Sequence, residues 1–350
     1  AALLDRITCV DDYSGDYILP GFIEIHTHGG GGFPFINNTV EDVKNACDFH
    51  LKHGTTSIMP TVTAACIKTM EKAIENIKKC KEQKLTKSNI LGAHLEGPYL
   101  SKEQAGAQCS TFIKSPNKKE YTRLIKKYKP FISRWTYAPE NDTGCAFAKY
   151  LLRNNIKGSI GHSNAIKEVV DVAFKNGSNL ITHLYSCTST IVRDHGFRKL
   201  GIIETAYLNK NMYVEIICDG KHLPEDLIKL IIQNKSINHI IACSDSLEIA
   251  GTSIKAGLMS GTPFIVEDGV CKLKDRSAFA GSITTGDKML EFLNLKCGIK
   301  IEDCVKLLSS NAATLFKLKT GKIEKGFDAD LNIICPNLKI KETFVKGHRI

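Results

Sequence analysis

Two histidines, His26 and His28, close the run Phe22-Ile23-Glu24-Ile25-His26-Thr27-His28, and four glycines follow. On a strand, residues two apart point to the same face. Both imidazoles therefore leave the same side of an apolar strand at its end, where together they can ligate a divalent ion. An edge strand with both rings in water would have the same pattern, so further ligands are needed. Glu96 ends Leu91-Gly92-Ala93-His94-Leu95-Glu96, His162 sits in Gly161-His162-Ser163, and His183 sits in Thr182-His183-Leu184. One carboxylate and two imidazoles leave a position open for water, which is the catalytic rather than the structural pattern for zinc. Asp245, in Cys243-Ser244-Asp245-Ser246, is a carboxylate able to take a proton from activated water and return it to a leaving amine. A helix cap at Ser244 or Asp245 is the plainer alternative. Each such residue, taken singly, is more often a structural hydrogen-bonder; their recurrence at the ends of several apolar runs reverses that expectation.

The elements that must position them alternate. Apolar runs at Phe22–His28, Thr56–Thr63, Ile90–Gly97, Arg134–Glu140, Gly158–Asn164, Leu180–Ser186, Tyr213–Gly220 and His239–Ser246 read as strands. Between them, Glu41–His53, Ile67–Gln83, Lys118–Tyr128, Thr143–Asn154, Ala165–Lys175 and Pro224–Asn234 carry helical spacing. Asn164 is placed to cap the helix from Ala165. This α/β alternation predicts a mostly parallel sheet with helices outside, and eight strands fit a closed (β/α)8 barrel of the TIM type. A doubly wound open sheet is the alternative. The barrel is favoured because His26, His28, Glu96, Glu140, His162, His183, Asp219, His222 and Asp245 all fall at or just past C-terminal strand ends, where barrel active sites are built. Two further helices, Thr285–Asn294 and Ile301–Phe316, follow. Residues 20–316 are read as the catalytic barrel, and residues 1–19 with 317–350 as a small β-sandwich-like layer from both termini. His94 shares a face with Glu96 and is expected behind the ligands. His50 and His53 are expected on a helix surface.

The net charge is +10 over 350 residues. The lysines are spread along helices without interleaved aromatics, so a solvated surface is favoured over a nucleic-acid site, and the balance suits an anionic small substrate. No apolar run reaches the roughly 20 residues of a membrane span, and no secretion signal is read. The 13 cysteines are odd in number, irregularly spaced and without a CxxC, which reads as reduced thiols in a cytoplasmic protein.

The stretch Pro20-Gly21-Phe22-Ile23-Glu24-Ile25-His26-Thr27-His28-Gly29 resembles the first signature of the amidohydrolase superfamily. His94-Leu95-Glu96-Gly97-Pro98-Tyr99, Gly161-His162-Ser163, Thr182-His183-Leu184-Tyr185, Asp219-Gly220-Lys221-His222 and Phe279-Ala280-Gly281-Ser282 narrow it: from about Leu19 to Val345 the chain is similar to the N-acetylglucosamine-6-phosphate deacetylase family. The resemblance implies a metal-dependent barrel hydrolase that removes acetate from a phosphorylated N-acetylhexosamine. It implies Glu96, His162 and His183 as ligands of the catalytic metal, His26 and His28 as ligands of a second one bridged by Glu96, and Asp245 as the catalytic acid–base. One or two divalent ions per subunit are thus expected, zinc first, with iron, manganese, cobalt or nickel as alternatives. Substrate contacts implied are Ala107, Gln108, Ser186, Cys187, Arg193, Asp194, His222, Phe279, Ala280 and Gly281. His222 is expected to reach the substrate phosphate across a homodimer interface.

Three departures bear on the sugar rather than the metal. Gln108 stands where many members carry a histidine that polarises the acetyl carbonyl. Ser186 and Cys187 replace a usual Asn-Ala pair. The phosphate-binding arginine falls near Arg193 one residue out of register, with Arg198 as its alternative. The N-terminus is shorter than in typical members by some tens of residues, so an incomplete small β layer is expected. Competing readings are a deacetylase of another sugar such as N-acetylgalactosamine 6-phosphate, a different amidohydrolase or deaminase, and a non-catalytic sugar-phosphate sensor or nucleic-acid binder. Arg134–Glu140 holds no lysine, which argues against cyclic-amide hydrolases that use a carboxylated lysine on the fourth strand.

Overall fold

The computed structural model describes residues 11–259 and 261–350. The β-type run expected at Ile7–Val10 lies outside the described residues. Eight strands, Phe22–Thr27, Thr55–Val62, Ala93–Glu96, Ile132–Tyr137, Lys157–Ile160, Leu180–Ile181, Tyr213–Ile217 and Ile240–Cys243, pair in parallel in sequence order. They are buried almost throughout, as a sheet covered on both sides requires.

The first and last strands meet differently. Asp245 N–H donates to His26 O at 2.9 Å and His28 N–H to Ser246 O at 2.8 Å. Below these bonds the Glu24 carboxylate spans the seam, accepting His26 N–H on one oxygen and Ser244 N–H on the other, both at 2.9 Å. A side chain thus supplies acceptors where a strand ladder would otherwise run. Burial raises this carboxyl to about 7, against the opposing pull of those N–H groups.

Helices Val40–Lys52, Ile67–Glu82, Lys118–Tyr128, Ala146–Arg153, Lys167–Lys175 and Glu225–Asn234 cover the barrel. Val40–Lys52 starts on a capping box, with Thr39 and Asp42 bonding each other's backbone N–H. Its buried stripe is Val43, Ala46, Cys47, His50 and Leu51, so His50 is buried and not on the surface. The expected cap at Asn164 is not made. The helix starts at Lys167 with no side-chain cap, and the Asn164 amide oxygen instead accepts from Gln104 at 2.6 Å. A short helix, Ile202–Leu208, goes unrecognised in the sequence because a polar hairpin, Val192–Asp194 with Phe197–Lys199, interrupts the apolar rhythm before it.

Ile23, Ile25, Met59, Leu180 and Ile241 meet Ala312, Ala313 and Leu315 of the last helix in one apolar cluster. The termini add a four-stranded antiparallel layer, in which Tyr17–Pro20 pairs with Leu331–Ile334, followed by Ile340–Val345 and His348–Arg349. After the eighth strand comes an unforeseen three-stranded sheet, Ala256–Met259, Thr262–Glu267 and Val270–Leu273. It carries the next segment back over the barrel mouth through Ala280 N–H to Cys271 O (2.9 Å) and Leu273 N–H to Ala278 O (2.9 Å).

Candidate active site

Most strands are shorter than the apolar runs suggest, because His28, His162, His183 and Asp245 stand just past their ends. His162, His183, Tyr185, Cys187 and Asp245 all adopt positive φ, from 27° to 77°. Non-glycine residues rarely do so, and each costs of order 1–3 kcal/mol unless its surroundings impose it. Five around one cavity mark a place where side-chain direction is held at the expense of backbone comfort.

Glu96 is the hub. Its Oε1 lies 3.1 Å from His162 Nε2, 3.1 Å from His183 Nε2 and 3.3 Å from His26 Nε2. Its Oε2 lies 3.3 Å from His28 Nε2. Two triads, Glu96–His162–His183 and His26–His28–Glu96, therefore share one carboxylate, each with its ligand atoms mutually within 4.8 Å. Asp245 Oδ1 closes the far side, 3.0 Å from His28 Nε2 and 3.5 Å from His26 Nε2.

The hydrogen bonds behind the rings decide what they present. His162 Nδ1 meets Gln104 O at 2.8 Å and His183 Nδ1 meets Ser186 O at 3.0 Å. A carbonyl only accepts, so both rings donate from Nδ1 and turn Nε2 inward. Those two Nε2 atoms are 3.1 Å apart, an arrangement of facing lone pairs that calls for a cation. His26 Nε2 is also buried without a hydrogen-bond partner. Burial alone would lower the pKa of the His26, His28 and His162 rings. Nearby acidic groups outweigh it: Glu215, Glu96 and Asp245 for His26; Asp245 and Glu96 for His28, which rises to about 9; Cys187 and Glu96 for His162. The cluster thus demands positive charge, and its imidazole and carboxylate donors suit a divalent transition ion.

The cavity above holds about 240 Å³ and is lined by His28, Glu96, Gln108, His162, His183 and Asp245 at its floor. Ala107, Ser186, Cys187, His222, Phe279, Ala280 and Gly281 line its sides. Gly106 (φ +55°) lets the chain pass Cys187, whose Sγ would sit 2.6 Å from any added Cβ. His222 is set by Asp219, which accepts from its Nδ1 at 2.7 Å, and its ring meets Phe279 edge to face. Arg193 and Asp194 are not brought here. They stand on the protruding hairpin, Arg193 exposed and Asp194 paired to Lys199 and His195. Within this chain they lie outside the cavity lining.

Residues 17–350 match the model of the amidohydrolase family. The chain belongs to the amidohydrolase family. Among relatives, an N-acetylglucosamine-6-phosphate deacetylase of Lysinibacillus sphaericus is 29% identical over 339 residues, covering 95% of this chain and 85% of that one. One of Bacillus subtilis is 28% identical over 340 residues, covering 95% and 84%. The crystal structure of the Pasteurella multocida N-acetylglucosamine-6-phosphate deacetylase superposes with a TM-score of 0.92 at 26% identity, over 99% of this chain and 90% of that one.

This amidohydrolase chain also carries site residues that spacing alone did not mark. Glu215, in the seventh strand, is fully buried and accepts from His26 Nδ1 at 3.2 Å. Arg134, in the fourth strand, donates to both its oxygens. Burial would raise the Glu215 carboxyl, but Arg134 and His26 hold it well below the usual carboxylate range. His94, foreseen behind the ligands, lies between Thr61 Oγ1 (3.1 Å) and Thr136 Oγ1 (2.7 Å), with its ring edge-on to His26. Burial and the charge of Arg134 keep it neutral. The signal for Arg134 and Glu215 was present: a charged residue in the middle of an apolar barrel strand is paired or functional.

Proposed function

We propose that the protein is a metal-dependent amide hydrolase that converts N-acetylglucosamine 6-phosphate and water to glucosamine 6-phosphate and acetate. The observation that carries this reading is Asp245 facing two ligand triads across one small cavity. The activity of the relatives supplies the substrate. In this reading Glu96, His162 and His183 would hold one ion and His26, His28 and Glu96 a second, with zinc the leading candidate. Such an ion lowers the pKa of water toward neutrality and polarises an acyl oxygen.

The chain's own groups do the rest. Burial favours protonated Asp245, but the His26 and His28 imidazoles outweigh it and keep the carboxyl below its ordinary range, so Asp245 is ready to accept a proton. It takes one from water and delivers it to the departing sugar nitrogen. Gln108 has a fixed orientation: its Oε1 accepts Ala64 N–H at 2.9 Å, so Nε2 donates to Glu96 Oε2 at 2.6 Å. The second hydrogen on that nitrogen serves the acyl oxygen, a neutral donor in place of an imidazole. His222 and Phe279 take the sugar phosphate end, and the active form is a homodimer in the cytoplasm. Among the described residues no helix is long and apolar enough to cross a membrane.

Ser186 and Cys187 on the wall leave open which hexosamine fits best, and a galacto-configured substrate is the second reading. The test is acetate release from a panel of N-acetylhexosamine 6-phosphates, using protein of measured metal content. Turnover of the gluco compound supports the proposal. Turnover of the galacto compound alone replaces the substrate, and no turnover of any member with several metals overturns the activity. Ammonia release from purines instead of acetate would point to a deaminase.

A further inference from the structure

The supports behind the ligand histidines are unequal. His162 and His183 rest on backbone carbonyls, and His28 Nδ1 is buried without a partner. Only His26, among the described residues that make up the two triads, has a carboxylate bonded behind its ring, Glu215 Oε2 at 3.2 Å from Nδ1. We propose that the buried Arg134–Glu215 pair is the positioning device of His26, and that metal binding on the His26–His28 side of the centre depends on it. The proposal rests on the metal-centre reading above.

All five N–H groups of Arg134 are engaged. Nε donates to Ser159 Oγ at 3.0 Å, Nη1 to Ile25 O at 3.2 Å and Glu215 Oε1 at 2.9 Å, and Nη2 to Thr182 Oγ1 at 2.9 Å and Glu215 Oε2 at 2.7 Å. Arginine offers only donors and keeps its proton. Glu215 is therefore held as an acceptor, and the proton between it and His26 stays on Nδ1. Nε2, which faces Glu96 Oε1 3.3 Å away and has no hydrogen-bond partner, is the nitrogen left for a metal. A carboxylate in this place fixes the tautomer and ring direction and increases the ring's strength as a ligand. The same Oε2 accepts the backbone N–H of His183 at 3.2 Å, while the His183 ring is held from Nδ1 by Ser186 O, so of these two rings the carboxylate orients only that of His26. The contacts of Arg134 reach the first strand (Ile25), the fifth (Ser159), the loop after the sixth (Thr182) and the seventh (Glu215), which makes the pair a spacer across the barrel interior.

A pair with only a structural role would hold the strands and leave metal uptake alone. The measurement is zinc bound per chain against chelator-buffered free zinc, with circular dichroism and thermal melting of the metal-free protein alongside. Arg134→Met with Glu215→Met removes both charges together, because losing one would strand the other in the interior. Expected is a folded protein whose affinity for one zinc falls 10–100-fold, with the other ion much less affected. Glu215→Asp keeps the charge pair but draws the carboxylate back from His26 by one C–C bond, and loses affinity in the same direction. In a His26→Asn background neither change alters zinc binding by more than about twofold, since the residue they act through is gone. Wild-type affinity in either folded variant overturns the proposal. So does an undiminished effect in the His26→Asn background, which would show a structural role only. If the wild-type chain takes up no divalent ion, the metal-centre reading falls and this proposal with it; two ions in the wild type and two bound with the same affinities in the folded variants sink this proposal alone.

Discussion

His50 makes a measurable demand on stability. It is buried, and its Nε2 lies 2.9 Å from Gly29 O, so it ties the first helix to the glycine turn behind His28. Burial lowers its pKa from 6.5 to about 4; the bond to Gly29 opposes this only in part, and the nearby His53 lowers it further. In the unfolded chain the ring titrates near its ordinary value. Between these two values the unfolded state binds the proton and the folded state does not, so stability falls as pH falls through that window. Each pKa unit is worth about 1.4 kcal/mol. The full penalty is thus about 3 kcal/mol below pH 4, and roughly 2 kcal/mol of it develops between pH 7 and pH 5. At about 2.1 cal/mol/K of unfolding entropy per residue, that is a drop of roughly 2–3 °C in Tm for a chain of this size. The assay compares metal-free wild type with His50→Gln, which cannot titrate, by thermal melting at both pH values. The fall in Tm from pH 7 to pH 5 should be smaller in the variant by that amount, all other groups cancelling. Equal pH dependence in the two proteins, or a steeper one in the variant, would refute the assignment of a buried neutral imidazole.

Three further outcomes are expected. Asp245→Asn should keep the zinc content of the wild type and lose kcat by about 10²–10⁴-fold; retained turnover removes Asp245 as the acid–base. Glu96→Ala removes the carboxylate shared by both triads and should lose bound metal by elemental analysis, so full occupancy contradicts its ligand role. Mixed dimers of Asp245→Asn and His222→Asn chains test where His222 works. Recovery of activity on mixing shows that it acts on the neighbouring subunit's substrate, whereas no recovery, with each variant deficient alone, places it in the cavity of its own chain.

Much of this was legible because barrels concentrate chemistry at one end of their strands. Glu96 and the histidines at positions 26, 28, 162 and 183 could be grouped from strand ends alone, and the structure brings their ligand atoms together. Where the reading fell short, a local rule was followed without its partner. His50 was judged by its polarity, although it lies seven residues after Val43 on the buried stripe of its helix. Arg134 was noted only as the absence of a lysine, and Glu215 was passed over inside Tyr213–Ile217. Their meaning depends on two strands facing each other across the barrel, a relation that no sequence spacing encodes. Motif register also gave no sign that Arg193 and Asp194 stand on a hairpin whose two strands pair with each other.

The carboxylate at the barrel seam ties the order of chain synthesis to the competence of the site. Glu24 bonds Ser244 across 220 residues of sequence, so this contact is among the last a growing or collapsing chain can make. Non-local contacts of this reach must meet their loop-closure cost before they yield any stabilisation. The same carboxylate holds the backbone of His26, and Asp245 follows Ser244 directly. The first histidine pair and the terminal aspartate therefore come into register in the same event that closes the ring. A chain halted before its eighth strand carries Glu96 and the four candidate ligand histidines, but lacks Asp245 and the Glu24–Ser244 bond that sets the backbone beside His26.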